Sequence, residues 1–320
     1  MPVHTVKTIA SHNGGHHADD VFGVAIMRAL FPDARIIRTR DAALISQADV
    51  AIDVGGEWDP ERGRYDHHQK GFAGARENGV VYASAGLVWA DVGEHFVGKV
   101  AGHLNTHQIK AVHQAVDEQL VVYLDMEDTG AQKCAPDFFG LSALVHTFNL
   151  TRWEERFIES QASDNEHARQ LVEAERDKRF LEAADQVVLL VTRLVMHLAG
   201  ELADAAVVRE AEKLADGRIL VLSEPGVSWI ATVCAEMPYV QFVVYPDSSD
   251  RQYQVRTVPV EPQSFEARVD LPRAWAGLRG QELADVTGVQ DSVFCHNKVF
   301  IAGAVSRAGA LQLAELALAK

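Results

Sequence analysis

Four short segments of this chain collect histidine and aspartate at spacings suited to divalent-metal chemistry. They are His12-Asn13-Gly14-Gly15-His16-His17-Ala18-Asp19-Asp20, the Asp53 of AIDVGG, Tyr65-Asp66-His67-His68, and Asp125-Met126-Glu127-Asp128-Thr129-Gly130. Imidazole and carboxylate donors without thiolate suit Mn²⁺, Mg²⁺ or a similar ion better than structural zinc, and shared carboxylates can hold two ions a few ångströms apart. A bound pair of ions can acidify a water, which needs no side-chain nucleophile, and no G-x-S-x-G elbow is present. The Asp-His-His triplet alone is a weak signal, because shuffled sequences of this composition also produce it. Asp53 carries more weight: a carboxylate ending an otherwise apolar strand is costly to bury unless it is paired, hydrogen-bonded or bound to metal. The glycines beside His12 can simply make a turn, and Asp19 or Asp20 can instead cap the helix that follows.

These segments need a scaffold that brings them to one edge. VKTIA, DVFGVAIMRALF, ARIIRTR, RDAALISQA and DVAIDVG read as strand, helix, strand, helix, strand, the order of a parallel sheet covered by helices on both faces. Sites of such sheets lie beyond the carboxyl ends of the strands. Gly55 to Gly79 reads as an irregular site loop, and SAGLVWADVGEHFVG and HQIKAVHQAVDEQLVVYL as helices. From Leu150 to Ala215 there is one glycine and no proline, which predicts long helices. After Gly217 come the short runs RILVLS, WIATVCAE, VQFVVYP and QYQVRTV and a final helix in AGALQLAELALA. The expected class is therefore α/β: a parallel-sheet domain over residues 1–150, a helical linker over 151–215 and a smaller α/β domain over 216–320.

Composition narrows the function classes. A 320-residue chain with 48% apolar residues can bury a sizeable core. Its formal charge of −15, most of it before residue 216, argues against a protein that coats nucleic acid. It leaves room for an enzyme acting on phosphates, since bound cations reverse the local sign. Cys134, Cys234 and Cys295 lack C-x-x-C spacing, so no disulfide framework or thiolate zinc site is expected. No apolar stretch reads as a membrane span, and the first residues lack signal-peptide features, so a cytoplasmic protein is expected.

The order H-x4-H-x-D, Asp53, DHH and DTG resembles the DHH phosphoesterase superfamily. HNGGHHADD, RTRDAALI, DVGGEWDPERGRYDHHQKGF, SAGLVW, VPVEPQSFEARVDLPRAWAGLR and RAGAL extend the resemblance, over nearly the whole chain, to the melanocyte-proliferating-gene exonuclease family. The resemblance implies a DHH-type catalytic domain, a C-terminal substrate domain and 3′→5′ exonuclease activity on single-stranded RNA or short oligonucleotides. It makes His12, His17, Asp19, Asp53, His67 and Asp128 ligands of two divalent ions, with Mn²⁺ expected and Mg²⁺ an option. His68 would face the substrate phosphate while Asp66 orients its neighbours. His17 is preferred over His16 as ligand, and Asp125 can ligate or support. His296, Gly303 and Arg307 would contact substrate in the second domain, where Ala302 and Ala304 depart from a Gly-Gly-His motif. Ser84, opening a helix, is a candidate anion contact or a plain N-cap. Nothing sets the oligomeric state, and a homodimer is one option. Two other functions compete: hydrolysis of a small phosphate such as pyrophosphate or a dinucleotide, and metal-dependent binding without catalysis.

Overall fold

A computed structural model describes residues 6–135, 140–249 and 251–319. Strand β1 (Thr8–Ser11) buries Ile9, Ala10 and Ser11 on both faces, as a central parallel strand must. Helix α1 (Ala18–Leu30) carries the chain to β2 (Arg35–Arg38), parallel to β1. Helix α2 (Ala42–Gln47) then returns it to the opposite side of β1, where β3 (Val50–Ile52) also pairs in parallel. Right-handed crossovers in opposite directions put α1 and α2 on opposite faces of the sheet. Alternation along the strands confirms this, since Ala10 and Ala51 pack with Ile45 and Ala48 on the α2 face. On the other face Ile52 lies so near α1 that a Cβ on Gly23 would come within 2.8 Å of it. Because the chain leaves β1 to both sides, the carboxyl ends of β1 and β3 flank a topological switch point, where such sheets open a crevice.

The stretch expected to be irregular adds a hairpin to this sheet. Strands β4 (Trp58–Asp59) and β5 (Arg64–Tyr65) are antiparallel, and β5 pairs in parallel with β3, giving the order β2-β1-β3-β5-β4. Two-residue strands are too short to show alternation, which is why sequence pattern misses them. Helices α3 (Ser84–Val100) and α4 (Thr106–Val116) follow, and a π-helical turn over Asp117–Val121 joins α4 to α5 (Val122–Asp128) without a break. Helices α6 (Leu141–His146) and α7 (Arg152–Glu159) precede α8 (Asn165–Glu210).

The chain divides into compact units at Ala199 and Gly200, inside α8, rather than at residue 216. The last turns of α8 belong to the second core, where Val208 packs with Leu220, Val233 and Val243. Helix α8 is long enough, and an 18-residue window of it apolar enough at mean hydropathy 1.4, to cross a membrane by length and composition alone, with 28% of that window buried. Along α8, Ala183, Val187, Val191, Val195 and Leu198 recur every three or four residues and are buried, one apolar stripe of the helix.

In the second unit, β6 (Glu212–Leu214), β7 (Ile219–Val221), β8 (Phe242–Pro246), β9 (Tyr253–Thr257), β10 (Ser292–Cys295) and β11 (Ile301–Ala304) form one mixed sheet in the order β10-β11-β9-β8-β7-β6. Helix α9 (Ile230–Glu236) packs on one face. Helices α10 (Gly280–Thr287) and α11 (Arg307–Leu318) contribute Leu283, Leu313 and Ala314 to the core on the other. WIATVCAE, read among short apolar runs, is α9, whose Ile230, Val233 and Cys234 recur at helical spacing.

Candidate metal centre

The segments picked out by residue type converge beyond the carboxyl ends of β1, β3 and β5. His12 immediately follows β1 and is 4% exposed. Its Nδ1 lies 3.2 Å from the Asn13 carbonyl, which leaves Nε2 facing carboxylates, at 3.1 Å from Asp20 Oδ2 and 3.4 Å from Asp53 Oδ2. Asp53 follows β3 with φ 55, a left-handed conformation that aspartate tolerates better than most side chains. Its Oδ1 accepts from the buried Ser84 hydroxyl at 3.0 Å and lies 3.5 Å from His67 Nε2 and 3.3 Å from His68 Nδ1. His67 Nε2 is also 3.2 Å from Asp128 Oδ2, yet it is buried without hydrogen-bond alignment to either carboxylate. A bare ring nitrogen aimed between two carboxylates is the disposition of a ligand.

Two donor groups result. Asp53, His67 and His68 offer ligand atoms within 4.8 Å of one another, and so do His17, Asp19 and Asp128. Asp19 is the sharpest test of fit, because it is fully buried and neither carboxylate oxygen has a hydrogen-bond partner. Burial and the negative charges of Asp53, Asp128 and Asp20 push the Asp19 carboxyl well above its usual range. Burial would also raise Asp53, but contacts with His12, His67 and His68 overcome it and hold that carboxyl far below the usual range. Burial alone would lower His12 and His67; facing Asp20 and Asp53, and Asp128 and Asp53, each is instead raised to about 10. Protons thus take up charge that a divalent cation would take up instead, and the oxygen and imidazole donors fit such an ion.

Around these donors the chain fixes their positions. Asp66, 2% exposed, accepts from His68 N and Nδ1, both at 2.9 Å, and from Gly56 N at 2.6 Å, so it braces the loop and His68. His68 has a side chain 62% exposed and keeps Nε2 for an incoming group. Tyr65 is a core residue that donates to Asp91 at 2.5 Å. The two adjacent histidines sit in different settings. His17 enters the ligand group with Nδ1 3.7 Å from Asp128, whereas His16 is buried edge-on against Phe180 and burial takes it down to about 4. Asp20, not Asp19, serves the helix start, accepting from His17 N at 3.0 Å while its other oxygen meets His12.

The four substrate-contact candidates fall in different settings. Ser84 is fully buried at the first turn of α3 and supports Asp53; it neither caps the helix nor reaches a surface. Gly303 lies inside β11, where an added Cβ would meet the Phe294 ring at 2.7 Å, so it is a packing position. Arg307 is exposed but held in an ion pair by Glu212. His296 is exposed, its Nδ1 accepting from Lys298 N at 3.1 Å.

Two supports escape sequence reading. Arg38 is 2% exposed at its side chain, lies 4.3 Å from the Phe180 ring centroid and donates to the Gly14 carbonyl at 3.1 Å, pinning the turn between His12 and His17. Arg76 donates to Asp117 at 2.7 and 2.8 Å and to Asp125 at 2.6 Å. Asp125, raised to about 6 by burial against the pull of Arg76, also accepts from Gly86 N at 3.0 Å. Asp125 is therefore a support and stands outside both donor groups. Arg76→Ala would strand buried carboxylates, so urea denaturation should show a loss of about 3–5 kcal/mol, and a loss under about 1 kcal/mol would refute that role.

The chain is similar in sequence to known proteins. The family model for the MYG1 exonucleases, described as uncharacterised protein family UPF0160, matches residues 8–318. A MYG1 exonuclease of Rattus norvegicus is 31% identical over 339 residues, covering 98% of this chain and 84% of that protein. A MYG1 protein of Caenorhabditis elegans is 30% identical over 334 residues, covering 97% and 94%. Among solved structures, the exonuclease RecJ bound to manganese aligns with a TM-score of 0.27 at 15% identity, covering 98% of this chain and 89% of that one.

Proposed function

Because the chain belongs to the MYG1 exonuclease family, we propose that it is a metal-dependent phosphodiesterase that shortens single-stranded RNA or short oligonucleotides from the 3′ end. The observation that carries this reading is the buried, unpartnered carboxylate of Asp19 set among Asp128, Asp53 and two imidazoles. His17, Asp19 and Asp128 would hold one divalent ion and Asp53 and His67 a second, with His12 beside Asp53. Bound there, Mn²⁺ or Mg²⁺ would supply a water that ionises near neutral pH and positive charge beside the scissile phosphate.

The protein's own groups do the rest. Ser84 and the φ 55 backbone aim Asp53 into the cluster. Asp66 holds the His68 ring so that Nε2 can meet a phosphate oxygen and stabilise charge developing on it. The dense packing of α1 and α3 against β3 keeps these positions from relaxing. Incubation of a 5′-labelled RNA with the protein and Mn²⁺ should produce a ladder shortening from the 3′ end. Intact RNA with every divalent ion would sink the reading, and cleavage of pyrophosphate alone would replace it with a small-phosphate hydrolase.

A further inference from the structure

A cavity of about 270 Å³ opens beside the metal donors, between α1, α5 and α6. One wall is the donor group itself, His17, Asp19 and Asp128, and Glu127 lines the space beside it. The floor is apolar, made by Ala18 and Leu124, which are 7% and 3% exposed. The far wall is α6, where Ser142 and His146 stand four residues apart and so share one face of the helix. Among the described residues neither side chain has a hydrogen-bond partner, and no Lys or Arg lines the space.

That last feature decides what can occupy it. A second phosphate would enter a cavity with carboxylates and no cation on its far side, at an electrostatic penalty. A neutral group with one apolar face for Ala18 and Leu124 and hydrogen-bond donors for Glu127, Ser142 and His146 fits this lining. The volume lies just under the roughly 300–1,000 Å³ that buries a whole drug-sized ligand, which suits one nucleoside and not a stacked strand.

We propose that this cavity seats the terminal nucleoside next to the scissile phosphate, over Leu124, with Ser142 and His146 hydrogen-bonding its sugar or base. The proposal rests on the phosphodiesterase reading and adds a specificity site to it. Only a nucleoside uses α6; the phosphate itself is held by the metal side.

Calorimetry on the full chain with Mn²⁺ tests it, using uridine 5′-monophosphate, inorganic phosphate and pyrophosphate as probes. The wild type should bind the nucleotide at least about tenfold tighter than phosphate, a gain of about 1.4 kcal/mol. Pyrophosphate should gain nothing over phosphate. The double variant S142A/H146A should lose the nucleotide advantage and keep its phosphate affinity, and Ser142→Trp, which fills the cavity, should do the same. Nucleotide and phosphate binding alike in the wild type, an advantage surviving in both variants, or pyrophosphate binding tighter would overturn the subsite alone. A wild type that binds none of the three with Mn²⁺ would overturn the phosphodiesterase reading and the subsite with it.

Discussion

Asp53→Asn is expected to slow RNA hydrolysis by the manganese-loaded protein about 10³-fold, the equivalent of the several kcal/mol that bound metal supplies to developing charge. Asparagine is the informative replacement. It keeps the shape and tolerates φ 55, where alanine would add backbone strain to the loss of charge. It also keeps an oxygen for the Ser84 hydroxyl. What it removes is the anion that His12, His67 and His68 all face. Far-ultraviolet circular dichroism should be unchanged, metal content per chain should fall, and kcat should drop. Activity within tenfold of wild type would show that Asp53 is no metal ligand. Ser84→Ala gives a graded companion, since removing a group that orients a ligand typically costs 10–100-fold in affinity or activity, or about 10–100-fold here.

Residue type found most of this centre because the fold returns the chain to one edge after each crossover. His12, Asp53 and Asp66 each follow a strand directly, and apolar strands ending in polar donors are visible without a structure. What pattern cannot show is phase within a turn. Asp19 and Asp20 are neighbours of the same type, and only the start of α1 at Ala18 sends one toward the donors and the other to the helix N-terminus. His16 and His17 divide in the same way, one into the core against Phe180 and one toward Asp128. Asp125 and Asp128 lie about a turn apart, and Arg76 joins Asp125 to Asp117 at the start of the π-helical turn that precedes them. Arg38 was invisible because β2 reads as half-exposed, and its burial comes from Phe180, more than a hundred residues later. Ser84 and Gly303 carry roles that residue type does not reveal: a hydrogen bond to Asp53 for the one, and close packing on Phe294 for the other.

The second large effect is on stability, and its sign follows from the same charges. In the metal-free protein His12 and His67 titrate at about 10, above the value of 6.5 expected when unfolded. A raised histidine contributes stability that is fully present below about pH 6.5 and is lost as the pH climbs toward 10. Asp19 acts in the same direction, because a carboxyl raised on folding opposes the folded state once the pH passes its unfolded value. The metal-free protein should therefore melt at progressively lower temperature from pH 6 to pH 8.5. A divalent ion needs neutral imidazoles and an ionised Asp19, so its binding expels protons and tightens with rising pH, by about tenfold per unit for each proton displaced. Saturating the centre at 100 times its dissociation constant adds about 2.7 kcal/mol to stability. Melting curves with chelator and with Mn²⁺ should accordingly diverge as the pH rises, and calorimetry in buffers of different ionisation enthalpy should detect proton release on binding. A gap in melting temperature that stays constant from pH 6 to pH 8.5, with no protons released, would mean that the ion does not displace these protons and binds elsewhere.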